Sequence, residues 1–183
     1  MKDIARIVGS MLSNPIRNYA TPGLSSFLVG ADGPGCIRLF TSDRDTREWV
    51  TPHSHRFDFA CLVLEGQVEN ILFEPAPAES PHLGNRYAVG ELRQVDGGLG
   101  KYEVHRTNKR EWFVEDSTVY VAGQSYSMKA EELHSIRFSR GSQVLFFEGP
   151  EIYETSLFLE PVCGGVVVPT FETKPWMFKQ ESG

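Results

Sequence analysis

From Cys36 to Leu159 the chain is a succession of short runs rich in valine, isoleucine, phenylalanine and tyrosine, each closed by a turn signal. That pattern limits the possible folds more than any other feature. The runs are Cys36–Thr41, Phe57–Leu64, Val68–Phe73, Lys101–His105, Ser117–Val121, His134–Phe138, Gln143–Phe147 and Tyr153–Leu159. Gly66, Gly123, Arg140-Gly141-Ser142 and Gly149-Pro150 punctuate them. Branched and aromatic side chains suit a pleated, half-buried surface, and glycine and proline mark its reversals. Eight short strands at this spacing predict an all-β double-sheet jelly roll or barrel, not a fold in which strands and helices alternate.

The rest of the chain is arranged around that set. With 183 residues, 40% of them hydrophobic, residues 1–183 are expected to form one domain with an ample core, and no internal repeat is evident. Ile4, Ile7, Val8, Met11 and Leu12 recur at helical spacing before Asn14-Pro15, so a short amphipathic helix is expected over 1–15. Residues 74–100 are rich in proline, glycine and alanine and read as an inserted loop excursion. The tail, 164–183, is expected to add one last strand, with Trp176 and Phe178 available to pack.

Charge and composition remove several classes of function. A net charge of -6 offers no basic face for a nucleic-acid backbone or an anionic membrane surface. No apolar run approaches the roughly 18 residues of a membrane span, and the first residues lack a continuous signal core. Cys36, Cys61 and Cys163 are odd in number and widely spaced, as suits reduced thiols. A cytoplasmic location with a small-molecule partner is the expectation.

The chemistry gathers in Pro52-His53-Ser54-His55, which leads into Phe57-Asp58-Phe59-Ala60-Cys61-Leu62-Val63-Leu64-Glu65-Gly66. Histidines two apart on a strand share a face, and alternation carries Phe57, Phe59, Cys61 and Val63 onto it as well. A third histidine, His134, opens a later strand. His82 and His105 sit among loop and charged residues and read as solvated.

This arrangement resembles the cupin superfamily, whose first motif pairs H-x-H with a later carboxylate and glycine, and whose second holds a glycine and one histidine. His53, His55 and Gly66 match the first motif, and Gly123 and His134 match the second. The chain departs from the pattern at Arg47, Phe59, Lys129 and Glu131, where the family has glycine, glutamate, proline and glycine. The resemblance implies a cupin-type jelly-roll barrel and a metal held by His53, His55 and His134, with Phe59 in the carboxylate position. It also implies a homodimer. Three imidazoles leave coordination positions open, as a catalytic metal requires. Fe(II) is the first choice, with zinc, nickel and manganese as alternatives. Asp58, one residue out of register, is expected to hydrogen-bond an imidazole or a backbone group.

Phe57, Phe59, Ile136, Phe138, Val144 and Phe146 are expected to line a dry pocket. Arg38 and Arg137 are candidates to hold a substrate carboxylate, and Glu148, in step with Val144 and Phe146, is a candidate base or proton carrier. Among three-histidine cupins the resemblance is to thiol dioxygenases and to small cupins of unassigned function. Their Ser-His-Tyr relay does not transfer, because Phe146 and Glu148 stand at two of its positions. Phe59 stands where some members have a crosslinked cysteine, with Cys61 two residues later. The leading expectation is a non-haem Fe(II) dioxygenase of a small carboxylated or thiol compound. The alternatives are a sugar isomerase or epimerase and a non-catalytic ligand-binding module.

Overall fold

A computed structural model describes residues 15–17, 19, 21–31, 35–46, 51–94 and 102–169. Apart from Pro15, the expected N-terminal helix lies outside them, as do Trp176 and Phe178. The described chain is all-β. Its strands are β1 (Ile16–Arg17), β2 (Leu24–Ala31), β3 (Cys36–Ser42), β4 (Phe57–Glu65), β5 (Gln67–Pro75), β6 (Asn85–Gln94), β7 (Tyr102–Val121), β8 (Ser125–Met128), β9 (Leu133–Phe138), β10 (Gln143–Glu151), β11 (Thr155–Cys163) and β12 (Val166–Val167). They form two antiparallel six-stranded sheets, ordered β1-β2-β3-β10-β4-β8 and β12-β11-β6-β7-β5-β9. This is the jelly-roll architecture expected from the strand pattern. Among the described residues no helix is long and apolar enough to cross a membrane.

Alternation along the strands builds the interior. On β4, Phe59, Cys61 and Val63 are buried while Leu64 and Glu65 reach solvent. They pack with Phe40 of β3, Val144 and Phe146 of β10 and Phe138 of β9 in one cluster between the sheets. Fully burying a side chain of this size contributes about 1.5–3 kcal/mol, so this cluster holds the sheets together. A second cluster, including Ile71, Phe73, Tyr87, Phe113 and Leu159, covers the other face of β5. Gly66 makes the β4–β5 turn with φ of 72°, and a Cβ there would meet Ser142 at 2.7 Å. Only glycine takes that backbone conformation without cost.

Two sequence expectations need correction. Residues 74–100 are not a plain excursion: after a 3-10 turn at Pro81–Leu83 they supply the ten-residue strand β6, paired with β7 and β11. The separate strands expected near 101–105 and 117–121 belong to one strand, β7, of 20 residues. Its polar middle hid it: Lys109 pairs with Glu111, and Arg106 with the buried Glu160, and the ladder to β6 continues on both sides of a register shift between Arg106 and Arg110. Strands β2 and β8 were not expected either.

Gly90 on β6 is a packing glycine. A Cβ there would come within 2.2 Å of the Phe158 ring, which is 1% exposed. Phe158 in turn bridges His53 through its backbone. Gly90→Ala is therefore expected to cost about 1–3 kcal/mol by overpacking, read as a lowered midpoint in urea or thermal melts. An unchanged midpoint would show that the ring yields freely.

Candidate metal centre

Residues 51–55 form a short seam between β9 and β11. His53 N–H donates to the His134 carbonyl at 2.8 Å, and His134 N–H donates back at 2.9 Å. On the other side Ser54 N–H donates to the Leu157 carbonyl and Leu159 N–H to that of Pro52, both at 2.9 Å. The Ser54 hydroxyl accepts from Leu157 N–H at 2.8 Å. His55 N–H donates to the Ala130 carbonyl at 2.8 Å. An early and a late segment of the chain are thus locked in register at the histidines.

The three imidazoles converge. One ligand atom from each of His53, His55 and His134 lies within 4.8 Å of the others. Their ring centroids are 4.7 to 5.2 Å apart. The Nε2 atoms of His55 and His134 are 2.9 Å apart. Two ligands on metal–nitrogen bonds of about 2.1 Å sit about 3.0–3.4 Å apart for octahedral to tetrahedral angles, so this pair already has near-coordinating spacing. His53 Nδ1 donates to the Thr51 carbonyl at 2.8 Å, and His134 Nδ1 to Asn70 Oδ1 at 2.7 Å. Those bonds fix the tautomers that turn both Nε2 lone pairs toward the common point.

Electrostatics favour the same state. Burial lowers the pKa of all three imidazoles, well below the ordinary value for His55 and His134, with neighbouring histidines adding to the shift for those two. Neutral rings are what metal coordination needs. Around them the walls are aromatic: Phe59 lies 4.7 Å from His55 and 5.5 Å from His134, and Phe57 lies 5.4 Å from His55. The donor set fits a divalent metal of the kind imidazole holds, with coordination positions left over.

Asn70 was not singled out from the sequence. Its signal was a polar amide on the inward side of β5, in step with Val68 and Leu72; it is 4% exposed and its Nδ2 lies against Met128 Sδ. Asp58 faces outward, pairs with Lys129 at 2.7 Å and accepts from Ala130 N–H at 2.9 Å. It therefore braces the residue whose carbonyl holds the His55 backbone. Those partners hold its carboxyl below the usual range, so the contact persists at neutral pH and is lost only as the pH falls through that lowered value.

The candidate substrate-binding residues separate clearly. Arg38 and Glu148 share strand faces with Phe40 and Phe146 and look into the barrel. Arg137 does not reach the site: it is out of phase with His134 and Phe138 on β9, is exposed, and pairs with Glu69 at 3.1 Å. His105 is on exposed β7 and pairs with Glu103. His82 falls in the 3-10 turn. Burial pushes the Cys61 thiol up to about 12, which makes it a packing group. An open depression of about 440 Å³ beside β4, β8 and β10 is lined by residues including Asp58, Phe59, Lys129, Phe147 and Glu148 but by none of the three histidines.

No family model matches this sequence, and no curated protein matches it. Solved structures do align with the fold. Hydroxypropylphosphonic acid epoxidase from S. wedmorenis is 9% identical with a TM-score of 0.45, over 76% of this chain and 56% of its own. A cupin-2 domain protein from Shewanella frigidimarina NCIMB 400 is 12% identical with a TM-score of 0.37, over 69% and 79%. Hydroquinone 1,2-dioxygenase from Sphingomonas sp. TTNP3 is 12% identical with a TM-score of 0.39, over 68% and 65%. This chain thus spans little more than half of the first of these proteins. At such distances the function has to be argued from this chain's own residues.

Replacing Asn70 by alanine removes the acceptor that orients His134 while leaving all three imidazoles in place. Metal affinity is expected to fall about 10–100-fold, measured by competition with a chromophoric chelator. An affinity equal to that of the unaltered protein would show that the tautomer is set elsewhere.

Proposed function

We propose that this protein is a metal-dependent cupin that uses Fe(II), held by His53, His55 and His134, in the dioxygenation of a small molecule. The observation that supports the reading is the convergence of three neutral imidazoles, two with their outer nitrogens tied down, in an aromatic-walled barrel. His53, His55 and His134 would hold the Fe(II), which when bound would supply oxygen activation.

The protein's own groups do the rest. Arg38 offers a guanidinium fork to a substrate carboxylate and so fixes its orientation. Phe57, Phe59 and Phe146 exclude water from the space beside the histidines. Glu148 is positioned on the inward face to accept or return a proton. A non-redox reading, in which Glu148 serves as the base of an isomerase or epimerase, uses the same wall but requires no oxygen.

Protein purified without chelator is expected to carry about one iron per chain and to consume oxygen with a panel of small carboxylic acids and thiols. His134→Ala is expected to lose both. Metal-free protein whose melting temperature is indifferent to chelator would contradict the proposal. Turnover of a sugar without oxygen uptake would favour the isomerase reading instead.

A further inference from the structure

The inward face of the sheet next to the histidines carries an unusual polar group. In cross-strand register, Cys36, Glu148 and Phe59 form one row, and Arg38, Phe146 and Cys61 form the next. Because Phe59 touches the His55 and His134 rings, the first row runs from the histidines through Phe59 to Glu148 and then to Cys36. Adjacent strands are about 4.8 Å apart, so Glu148 sits one strand from that wall and Cys36 two. Arg38 and Glu148 thus place a cation and an anion on neighbouring rows of the same inward surface.

Among the described residues neither is in an ion pair of the kind that other charged groups here have. Glu160 takes two hydrogen bonds from Arg106, Arg56 pairs with Glu151, and Asp58 pairs with Lys129. Glu148 instead accepts from the Cys36 thiol at 3.2 Å, and a thiol is a weak donor. Arg38 gives Nη1 to the Ser26 hydroxyl at 3.3 Å, lies 5.9 Å from the Tyr19 ring centroid and also interacts with the Cys36 thiol, which therefore stands between the two charges. A guanidinium has five donors, more than Ser26 and Cys36 use, so part of its fork can serve a ligand. Both residues are half-buried, where a charge left to water alone is costly.

We propose that this wall selects a small acid that carries a hydrogen-bond donor beside its carboxylate, with the carboxylate read by Arg38 and the neighbouring ammonium or hydroxyl read by Glu148. This rests on the reading that substrate binds beside the three histidines. A plain carboxylate would gain the guanidinium but face the Glu148 charge, and a plain amine would meet the reverse. A 2-amino or 2-hydroxy acid satisfies both, and its side chain meets Phe57 and Phe146. Cys36, in contact with Glu148, is the residue such a ligand covers.

The test reads Cys36 alkylation by iodoacetamide with mass spectrometry in the metal-loaded protein, with exposed Cys163 as internal control and buried Cys61 as background. The probes are 2-aminobutyrate, 2-hydroxybutyrate, butyrate and propylamine. The first two are expected to protect Cys36 at concentrations about tenfold lower than butyrate or propylamine, the factor one charge-assisted hydrogen bond supplies. Glu148→Gln is expected to erase that preference while butyrate still protects, and Arg38→Gln to abolish protection by every acid. Equal protection by butyrate, or no protection by any probe, overturns the inference, and the comparison within the unaltered protein decides this even where a variant fails to fold. Oxygen uptake plays no part in the readout. Protection without oxygen chemistry would sink the dioxygenase reading alone, whereas oxygen uptake without selective protection would sink this one alone.

Discussion

The reciprocal backbone pair between His53 and His134 is the contact on which the site depends. These residues are far apart in sequence, and two N–H···O=C bonds of 2.8 and 2.9 Å bring them side by side. The same short segment is tied to β11 through Ser54 and Pro52, so it cannot slide along one neighbour without breaking bonds to the other. A slip of one residue would turn both early histidines away from the interior, because side chains on a strand change faces at every step. Register here is a chemical requirement as much as a structural one.

That register also explains the character of the walls. The β4 row that continues from the histidines carries Phe57, Phe59, Cys61 and Val63 inward, and β10 meets it with Val144 and Phe146. An apolar surround lowers the basicity of the imidazoles, so they present lone pairs and not charge. Asn70 and the Thr51 carbonyl then decide which nitrogen presents the lone pair in His134 and His53. Packing sets the protonation state, and hydrogen bonding sets the direction.

Much of this was legible in the sequence, for a physical reason: strand alternation is a local rule, and the H-x-H pair and the aromatics that follow keep to one side although the chain bends at Arg56 between the seam and β4. The same rule carried Glu148 inward, in step with Val144 and Phe146. Arg137 was expected at the site against that rule: a residue three after His134 and one before Phe138 takes the opposite face, and the structure puts it there, paired with Glu69. What sequence reasoning missed was set by tertiary contact. Gly90 looks like a loop residue but makes room for the Phe158 ring, and β7 looks broken because its charges are satisfied across the sheet. Asn70 sits in a strand that reads as ordinary core, and only the position of His134 beside it gives its amide a role.

The central claim is that His53, His55 and His134 surround one metal ion. Anomalous scattering from crystals of protein purified without chelator, recorded on both sides of the iron edge, measures this directly. The account predicts a single strong peak within coordinating distance of all three Nε2 atoms, appearing only above the edge of the bound element. Crystals that show no peak there after soaking with Fe(II), zinc, nickel or manganese, with His55 Nε2 still hydrogen-bonded to His134 Nε2, would contradict it.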